Sequence, residues 1–469
     1  MAIGTVGRAA PTRRPTERQL RRRHRTRQVT VDLLVVAVWV SAAMALALWL
    51  TAVPVRWDGI GVVVTDLGIA AGLVGTDLVL VMIVLAARIP WIDRVVGHDS
   101  AMAVHRSLGK PSLYLLLAHA VLLVVGYALE AHVDVLAEGW TLVTTYDVFL
   151  SLLAILAMIA VVVTSVVAVR RYLPYEGWHA VHLLSYVAVL IALPHQLSLG
   201  GMLAHGSWQR TYWILLYATA IGAIGWFRFT LPAIRSVRHR MVVEHVERIA
   251  PDVVSLWIRG RRLDRLGARG GQFLIWRFWS GETWWHAHPL SLSAAPSSTR
   301  LRITVRSLGA GSGRLATLPP GTRVSFAGPY GVFTDRVRAG DRIAVAASGI
   351  GVTPIRAFLD HLDVPRGAVT ILLRARSERE TYLWDEVFQW ATDHGARVYT
   401  SIGPRGPGSN GWLAAADTAR GVSAGTVWPG IADSDLYICG PDGWSDLVEA
   451  DARRAGLPAD RLHRERFDW

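Results

Sequence analysis

Four histidines sit in stretches that are otherwise apolar: His105 and His119, fourteen residues apart, and His182 and His195, thirteen apart. At the helical rise these separations are about 21 Å and about 20 Å along an axis. Fourteen residues return to nearly the same helix face, about 40° off, whereas thirteen leave the second ring about 140° round. Pro194, just before His195, supplies a kink or local unwinding that brings the ring back. Two helices so equipped hold two haems, one near each leaflet, each ligated by one imidazole from each helix. Such a centre suits electron transfer, because two imidazoles leave iron no open position for a substrate. The competing readings are histidines bonded to helix backbone, and a metal- or proton-transport path.

A second set of residues is suited to phosphates. Arg306-Ser307-Leu308-Gly309-Ala310-Gly311-Ser312 offers a cation, flexible backbone and a hydroxyl to a diphosphate. Gly349-Ile350-Gly351-Val352-Thr353-Pro354 follows the apolar run 343–347 and opens a helix at Pro354. Its glycines let a diphosphate approach backbone amides, and the helix N-terminus favours the negative charge. Arg374 and Arg376, with Ser377, are placed to grip a 2′-phosphate, which favours NADPH over NADH; the alternative is that both arginines are simply solvated. Cys439 is the only cysteine, so an intrachain disulfide, a thiolate zinc site and a cysteine-ligated iron–sulfur cluster are excluded.

The elements that carry these residues change character along the chain. Its 469 residues predict two to four structural units. Hydrophobic residues make up 52% and mean hydropathy is +0.32, with long apolar blocks before about residue 230 and short alternating runs after it. The first part reads as membrane and the second as globular. Six blocks, 31–53, 66–87, 110–129, 146–169, 181–199 and 212–229, each supply the roughly 20 helical residues that cross a bilayer.

Nine arginines within residues 1–29, then Arg88, Arg94, Arg106 and Lys110, then Arg170 and Arg171, then Arg235, Arg238 and Arg240 fall on one side of these spans. The other side holds Arg56 and Arg210 beside Glu130, Asp134 and Glu138. The positive-inside rule therefore predicts a multi-pass protein of the plasma membrane with both termini cytoplasmic. The third and fifth spans run in the same direction, which pairs His105 with His182 and His119 with His195. The apolar run 30–53 is longer than a signal core and lacks a convincing cleavage site, so it is expected as a retained span. The formal charge of +13 lies largely in the arm facing anionic lipid, and no nucleic-acid motif accompanies it.

After about residue 241 the runs 242–246, 253–258, 273–276, 302–305 and 323–326 predict an antiparallel barrel. After 341, strands at 343–347, 369–374, 397–402 and 436–439 alternate with helices, which implies a parallel sheet. The expected fold is multidomain. A basic arm (1–29) precedes a six-span α-helical bundle (30–235), a β-barrel (236–339) and an α/β parallel-sheet domain (340–469).

His105-Arg106 with His119, and Trp178-His179-Ala180-Val181-His182 with His195, resemble the ferric reductase and NADPH oxidase family of six-span cytochromes. His288-Pro289-Leu290-Ser291 is similar to that family's FAD motif, with Leu290 where an aromatic is usual, and Gly328-Pro329-Tyr330-Gly331 to its barrel-closing turn. The resemblance implies a ferredoxin-reductase-like FAD barrel in which His288 meets the flavin diphosphate region and Ser291 approaches flavin N5. It also implies that Cys439-Gly440-Pro441 lies beside the nicotinamide, and that Phe467 or Trp469 covers the flavin. The cofactors expected are FAD, two b-type haems and NADPH, with NADH as an alternative.

The function expected is transfer of electrons from cytoplasmic NADPH to dioxygen on the outer side, giving superoxide. Reduction of external ferric chelates is the alternative, and a histidine-bearing transporter with a nucleotide-binding module is the third reading. The acceptor edge would then involve Arg56, His132, His205 or Arg210. No obligate protein partner and no calcium-binding loop are expected.

Overall fold

The computed structural model describes residues 16–52, 58–170, 172–173, 175–198, 201–281, 284, 286–307, 310–408 and 410–465. The chain divides into two units, Val31–Ile92 with His98–Phe229, and Met1–Thr30 with Asp93–Gly97 and Thr230–Trp469.

The first unit is helical. Six helices are long and apolar enough to cross a membrane: Gln28–Ala52, Ile60–Ala86, Ser100–Ala131, Tyr146–Ser165, Gly177–Ser198 and Trp208–His239. They belong to α1 (Glu17–Ala52), α2 (Ile60–Ala86), α3 (His98–Ala131), α5 (Tyr146–Ser165), α6 (Tyr175–Ile191) with α7 (Leu193–Ser198), and α8 (Trp208–Ile224) continued by the π-helical turn Gly225–Thr230 and α9 (Leu231–His239). The helix boundary between α6 and α7 falls at Ala192, two residues before Pro194. An additional helix, α4 (Val135–Thr144), replaces the expected outer loop; Asp134 caps it, Oδ1 accepting from the amides of Leu136 and Ala137. The capping carboxylate ahead of an apolar run was a legible signal for this helix.

Close packing of α2 on α3 rests on small residues. Gly61, Thr65, Gly68, Gly72 and Gly75 recur at helical spacing on α2. A Cβ at Gly75 would lie 3.1 Å from Leu115 and one at Gly68 3.1 Å from Leu122; at Gly72 it would overlap the ring of His119. Within a membrane, where apolar burial between helices gives little drive, such close backbone approach supplies the packing energy.

The second unit contains two sheets. Strands β1 (Met241–Ala250), β2 (Val253–Arg259), β3 (Phe273–Phe278), β4 (His288–Ser291), β5 (Arg300–Arg306) and β6 (Arg323–Tyr330) form an antiparallel sheet in the order β4-β3-β6-β1-β2-β5. An antiparallel bridge between Leu292 and Ile303 joins its two edges and closes the barrel. Its interior is filled by Leu256, Ile258, Leu274, Trp276, Phe278 and Ile303 among others.

The parallel sheet has β7 (Ile343–Ser348), β8 (Val369–Ala375), β9 (Arg397–Ile402), β10 (Asp435–Cys439) and β11 (Leu462–Glu465) in the order β11-β10-β7-β8-β9. Strand order therefore reverses between β7 and β10, and a ligand crevice is expected at their carboxyl ends. Strands β4 and β11, four residues each, were not anticipated, because runs so short show no clear alternation. The contact boundary between the units falls at 229/230, ahead of the expected 235. Helix α9 (Leu231–His239) packs on β6, where Arg235 donates to the Gly328 carbonyl at 2.5 Å and Ser236 accepts from the Phe326 amide.

Candidate functional site

The four membrane histidines are brought together in two pairs. Ring centroids are 6.1 Å apart for His105 and His182, and 6.4 Å for His119 and His195. Two metal–imidazole bonds of about 2 Å plus two ring radii of roughly 1 Å give about 6 Å, so one iron fits between each pair. Among the described residues no group of three or more potential ligands occurs, and paired imidazoles alone suit an iron whose other ligands come from a macrocycle.

Three of the rings are oriented through Nδ1. His105 donates to the Met82 carbonyl at 3.1 Å and His119 to the Gly68 carbonyl at 2.9 Å, both on α2. His182 lies 3.4 Å from Ser165 Oγ, which also accepts from Trp178 Nε1 at 3.2 Å. These bonds leave Nε2 as the free ligating atom and fix the ring plane. The Nδ1 of His195 is buried with no hydrogen-bond partner among the described residues.

In the barrel, β4 runs beside β3 with Ser291 opposite Phe273 and His288 opposite Trp276. Trp276 Nε1 donates to the Leu290 carbonyl at 3.0 Å, which fixes the strand carrying Pro289, Leu290 and Ser291. His288 Nε2 is buried and has no partner among the described residues. Burial, with the neighbouring His286, pushes its pKa down to about 4, so the ring is neutral at pH 7. A neutral, unpartnered imidazole nitrogen beside a half-buried strand fits a polar group of a bound flavin nucleotide.

Arg306, expected to meet a diphosphate, is paired with carboxylates of this chain. Its Nε donates to Asp252 at 2.7 Å and its NH2 to Glu380 at 3.3 Å, so the guanidinium ties the barrel to the parallel-sheet domain. Gly311 and Ser312 lie in the short helix Ala310–Arg314.

At the sheet reversal, Gly349 adopts φ +54°, a conformation that favours glycine, and a Cβ at Gly351 would overlap the Cys439 carbonyl. The two chain segments thus meet backbone to backbone. They gather Gly349, Gly351, Thr353 and Pro354 against Cys439, Gly440 and Pro441, where a dinucleotide can approach backbone amides. Cys439 is fully buried, and burial followed by the charge of Glu465 pushes its thiol pKa up, so it stays protonated.

Arg374 is also placed differently from expectation. It is buried, donates to the carbonyls of Ala375, Ser401 and Gly403, and so braces β8 and β9 from within. Arg376 and Ser377 are exposed, and Arg405, which the sequence reading missed, is close enough to act electrostatically on Arg374. Its signal was a lone cation in the glycine- and proline-rich turn after β9. Arg302, also missed, donates to Glu386 at 2.7 and 2.8 Å, and Arg356 to the same carboxylate at 3.0 Å. Burial raises the Glu386 pKa, but the two guanidinium groups outweigh it and hold the carboxyl below its usual range. Phe467, Trp469 and Arg56 lie outside the described residues. His132 and His205 are exposed, whereas Arg210 turns NH1 onto the carbonyls of Leu197 and Leu203 at 2.8 and 2.9 Å.

Residues 71–193 match the family model for a ferric reductase like transmembrane component. The chain is 31% identical over 191 residues to ferredoxin–NADP reductase B of Sorangium cellulosum, covering 38% of this chain and 77% of that protein. It is 29% identical over 213 residues to the ferredoxin reductase component of 3-ketosteroid-9-alpha-monooxygenase of Mycolicibacterium smegmatis, covering 44% of this chain but 57% of that protein. The FAD/NAD-binding domain of nitric oxide dioxygenase from Vibrio cholerae aligns with 22% identity and a TM-score of 0.40, over 49% of this chain and 98% of that domain.

Proposed function

The chain belongs to the ferredoxin–NADP reductase family and carries a ferric-reductase-like transmembrane component, a ferric reductase/NADPH oxidase-like fusion; from that premise we propose that it moves electrons from cytoplasmic NADPH through FAD and two b-type haems to dioxygen outside the plasma membrane, giving superoxide. It is an NAD(P)H-dependent oxidoreductase. The observation that carries the finer reading is the pair of imidazole couples at 6.1 and 6.4 Å.

Bound FAD supplies the conversion of a two-electron hydride into single electrons, and haem iron supplies the relay. The chain's own residues hold, orient and seal. His105 and His182 would ligate the inner haem, His119 and His195 the outer one, with Met82 and Gly68 carbonyls setting two of the ring planes. Ser291 and His288 would meet the flavin, while Gly349, Gly351 and Gly440 admit the nicotinamide dinucleotide. The Arg302–Glu386–Arg356 network and the Arg306 pairs with Asp252 and Glu380 hold barrel and parallel-sheet domain in one register, as hydride transfer requires. The thiol of Cys439, protonated and buried, provides apolar bulk rather than a nucleophile.

Dioxygen is favoured over ferric chelates by charge. Asp58, Glu130, Asp134 and Glu138 outnumber Arg56 and Arg210 on the outer side in the proposed orientation, and Arg210 is turned onto backbone carbonyls. Such a surface repels anionic chelates and leaves a neutral acceptor unaffected. The test is purified protein in detergent with FAD and NADPH, assayed for superoxide with superoxide dismutase as control, then anaerobically with ferric chelates. Superoxide that depends on oxygen, with chelates untouched, supports the reading; rapid anaerobic chelate reduction without superoxide replaces it with the ferric reductase alternative. A reduced-minus-oxidised spectrum without b-type haem bands would favour the transporter.

A further inference from the structure

His195 differs from the other three imidazoles in how it is held. His105 and His119 lean on carbonyls of a 27-residue neighbouring helix, and His182 faces Ser165. The Nδ1 of His195 has no such support among the described residues. The ring rises from α7, six residues long and separated from α6 at Ala192. Pro194 offers this end of the Gly177–Ser198 span no backbone donor, so its placement leans on neighbouring helices.

The neighbouring helix α8 supplies what is missing. Trp213 Nε1 donates to Gln196 Oε1 at 2.7 Å. The Gln196 amide also bonds the Tyr217 hydroxyl, Nε2 donating at 3.0 Å and Oε1 lying 3.2 Å from the phenol oxygen. Trp213 and Tyr217 are 1% and 4% exposed and Gln196 is half-buried, so losing one partner leaves a polar group of a buried ring unpaired. One turn earlier on α8, Arg210 NH1 holds the Leu197 carbonyl on α7 and the Leu203 carbonyl just beyond it. The two residues that follow His195 are therefore each bonded to α8, one by side chain and one by backbone.

We propose that Gln196 and Arg210, anchored by Trp213 and Tyr217, are positioning residues for His195, and that this clamp sets the occupancy and redox potential of the outer haem independently of the inner one. Arg210 is on this view a brace beneath the acceptor face rather than a contact for the acceptor. The inference rests on the two-haem reading above and adds a residue set to it. The His195 ring has the Ala192 carbonyl of its own chain segment beside it and, among the described residues, no support from a neighbouring helix, so it takes its alignment from backbone placement, and loosening α7 tilts the ligand and weakens the iron bond. The inner pair shares none of these contacts.

The test uses full-length protein in detergent, wild type against Gln196→Leu, Tyr217→Phe, Arg210→Met and the conservative Arg210→Lys. Pyridine haemochrome stoichiometry, a two-component redox titration and low-temperature electron paramagnetic resonance of the oxidised haems are measured. The expected result is about tenfold or weaker retention of one haem in Gln196→Leu and Arg210→Met, the scale of losing an outer-shell partner. Tyr217→Phe, which keeps the Trp213 bond, should retain both haems but shift one potential and one resonance, leaving the other component at its wild-type value. Arg210→Lys should restore part of the occupancy, since an ammonium can still donate to one carbonyl. Both components moving together, or neither moving in any variant, overturns the clamp. Wild-type protein lacking two b-type components overturns the underlying reading and the inference with it, whereas two wild-type haems with unaltered variants overturn the inference alone.

Discussion

Gly72 on α2 faces the ring of His119 on α3 so closely that no side chain can stand between them, and the same ring donates to the carbonyl of Gly68 one turn away. The imidazole is thus pressed against bare backbone on its Nδ1 side, which leaves Nε2 directed at His195. Gly72→Ala should therefore displace His119 and lower haem content from two towards one per chain, with Gly222→Ala as the control, since nothing lies within 4 Å of a Cβ there. Equal haem content in both variants would refute the cradle.

The Gly351–Cys439 approach makes a different demand. Gly351→Ala forces backbone apart at the sheet reversal, so NADPH-dependent flavin reduction should fall while FAD and haem content persist; overpacking of this kind costs about 1–3 kcal/mol. Stopped-flow flavin bleaching reads the loss. Iodoacetamide should leave wild-type activity intact in the folded state, because the Cys439 thiol is buried and protonated. Rapid inactivation by alkylation of Cys439 would contradict this.

The basic residues after β8 and β9 should separate by role. Arg376→Ala and Arg405→Ala are expected to raise KM for NADPH roughly 10- to 100-fold, the range of one lost charge-assisted bond, with NADH nearly unchanged. Arg374→Ala should instead lower Tm and affect both nucleotides alike, because its guanidinium serves three backbone carbonyls. A KM effect of Arg374→Ala confined to NADPH would reverse the assignment.

His288 makes stability depend on pH. Its folded pKa is about 4 against an ordinary value of 6.5, so the folded state resists a proton that the unfolded chain accepts. Its contribution is fully present above pH 6.5 and is lost as pH falls from there towards 4. His288→Gln should flatten the fall of Tm over this window relative to wild type, measured by scanning calorimetry. Parallel Tm–pH curves would place the acid sensitivity elsewhere.

Much of this protein is legible in one dimension. Six spans follow from apolar runs that must satisfy their own backbone in lipid, and the longer strands of both sheets from alternation, though not β4 and β11. The histidine spacings anticipate two levels, and a single residue outside regular helix, Ala192, lies between His182 and His195. The motif order identified a flavin barrel ahead of a nucleotide-binding sheet, because each motif is a local turn whose chemistry lies within a few residues.

Tertiary structure alone decided the partners. Nothing near His119 in the chain announces Gly68, which is 51 residues away, or shows that Gly72 clears its ring. Arg306, Arg374 and Arg210 look like ligand-binding cations in sequence, yet each meets a carboxylate or carbonyl brought to it by another element. A guanidinium carries its charge wherever it stands, so residue type and spacing reveal that an anion or acceptor must be near. Which one it meets depends on distances across helices and sheets, and those exist only once the chain has packed.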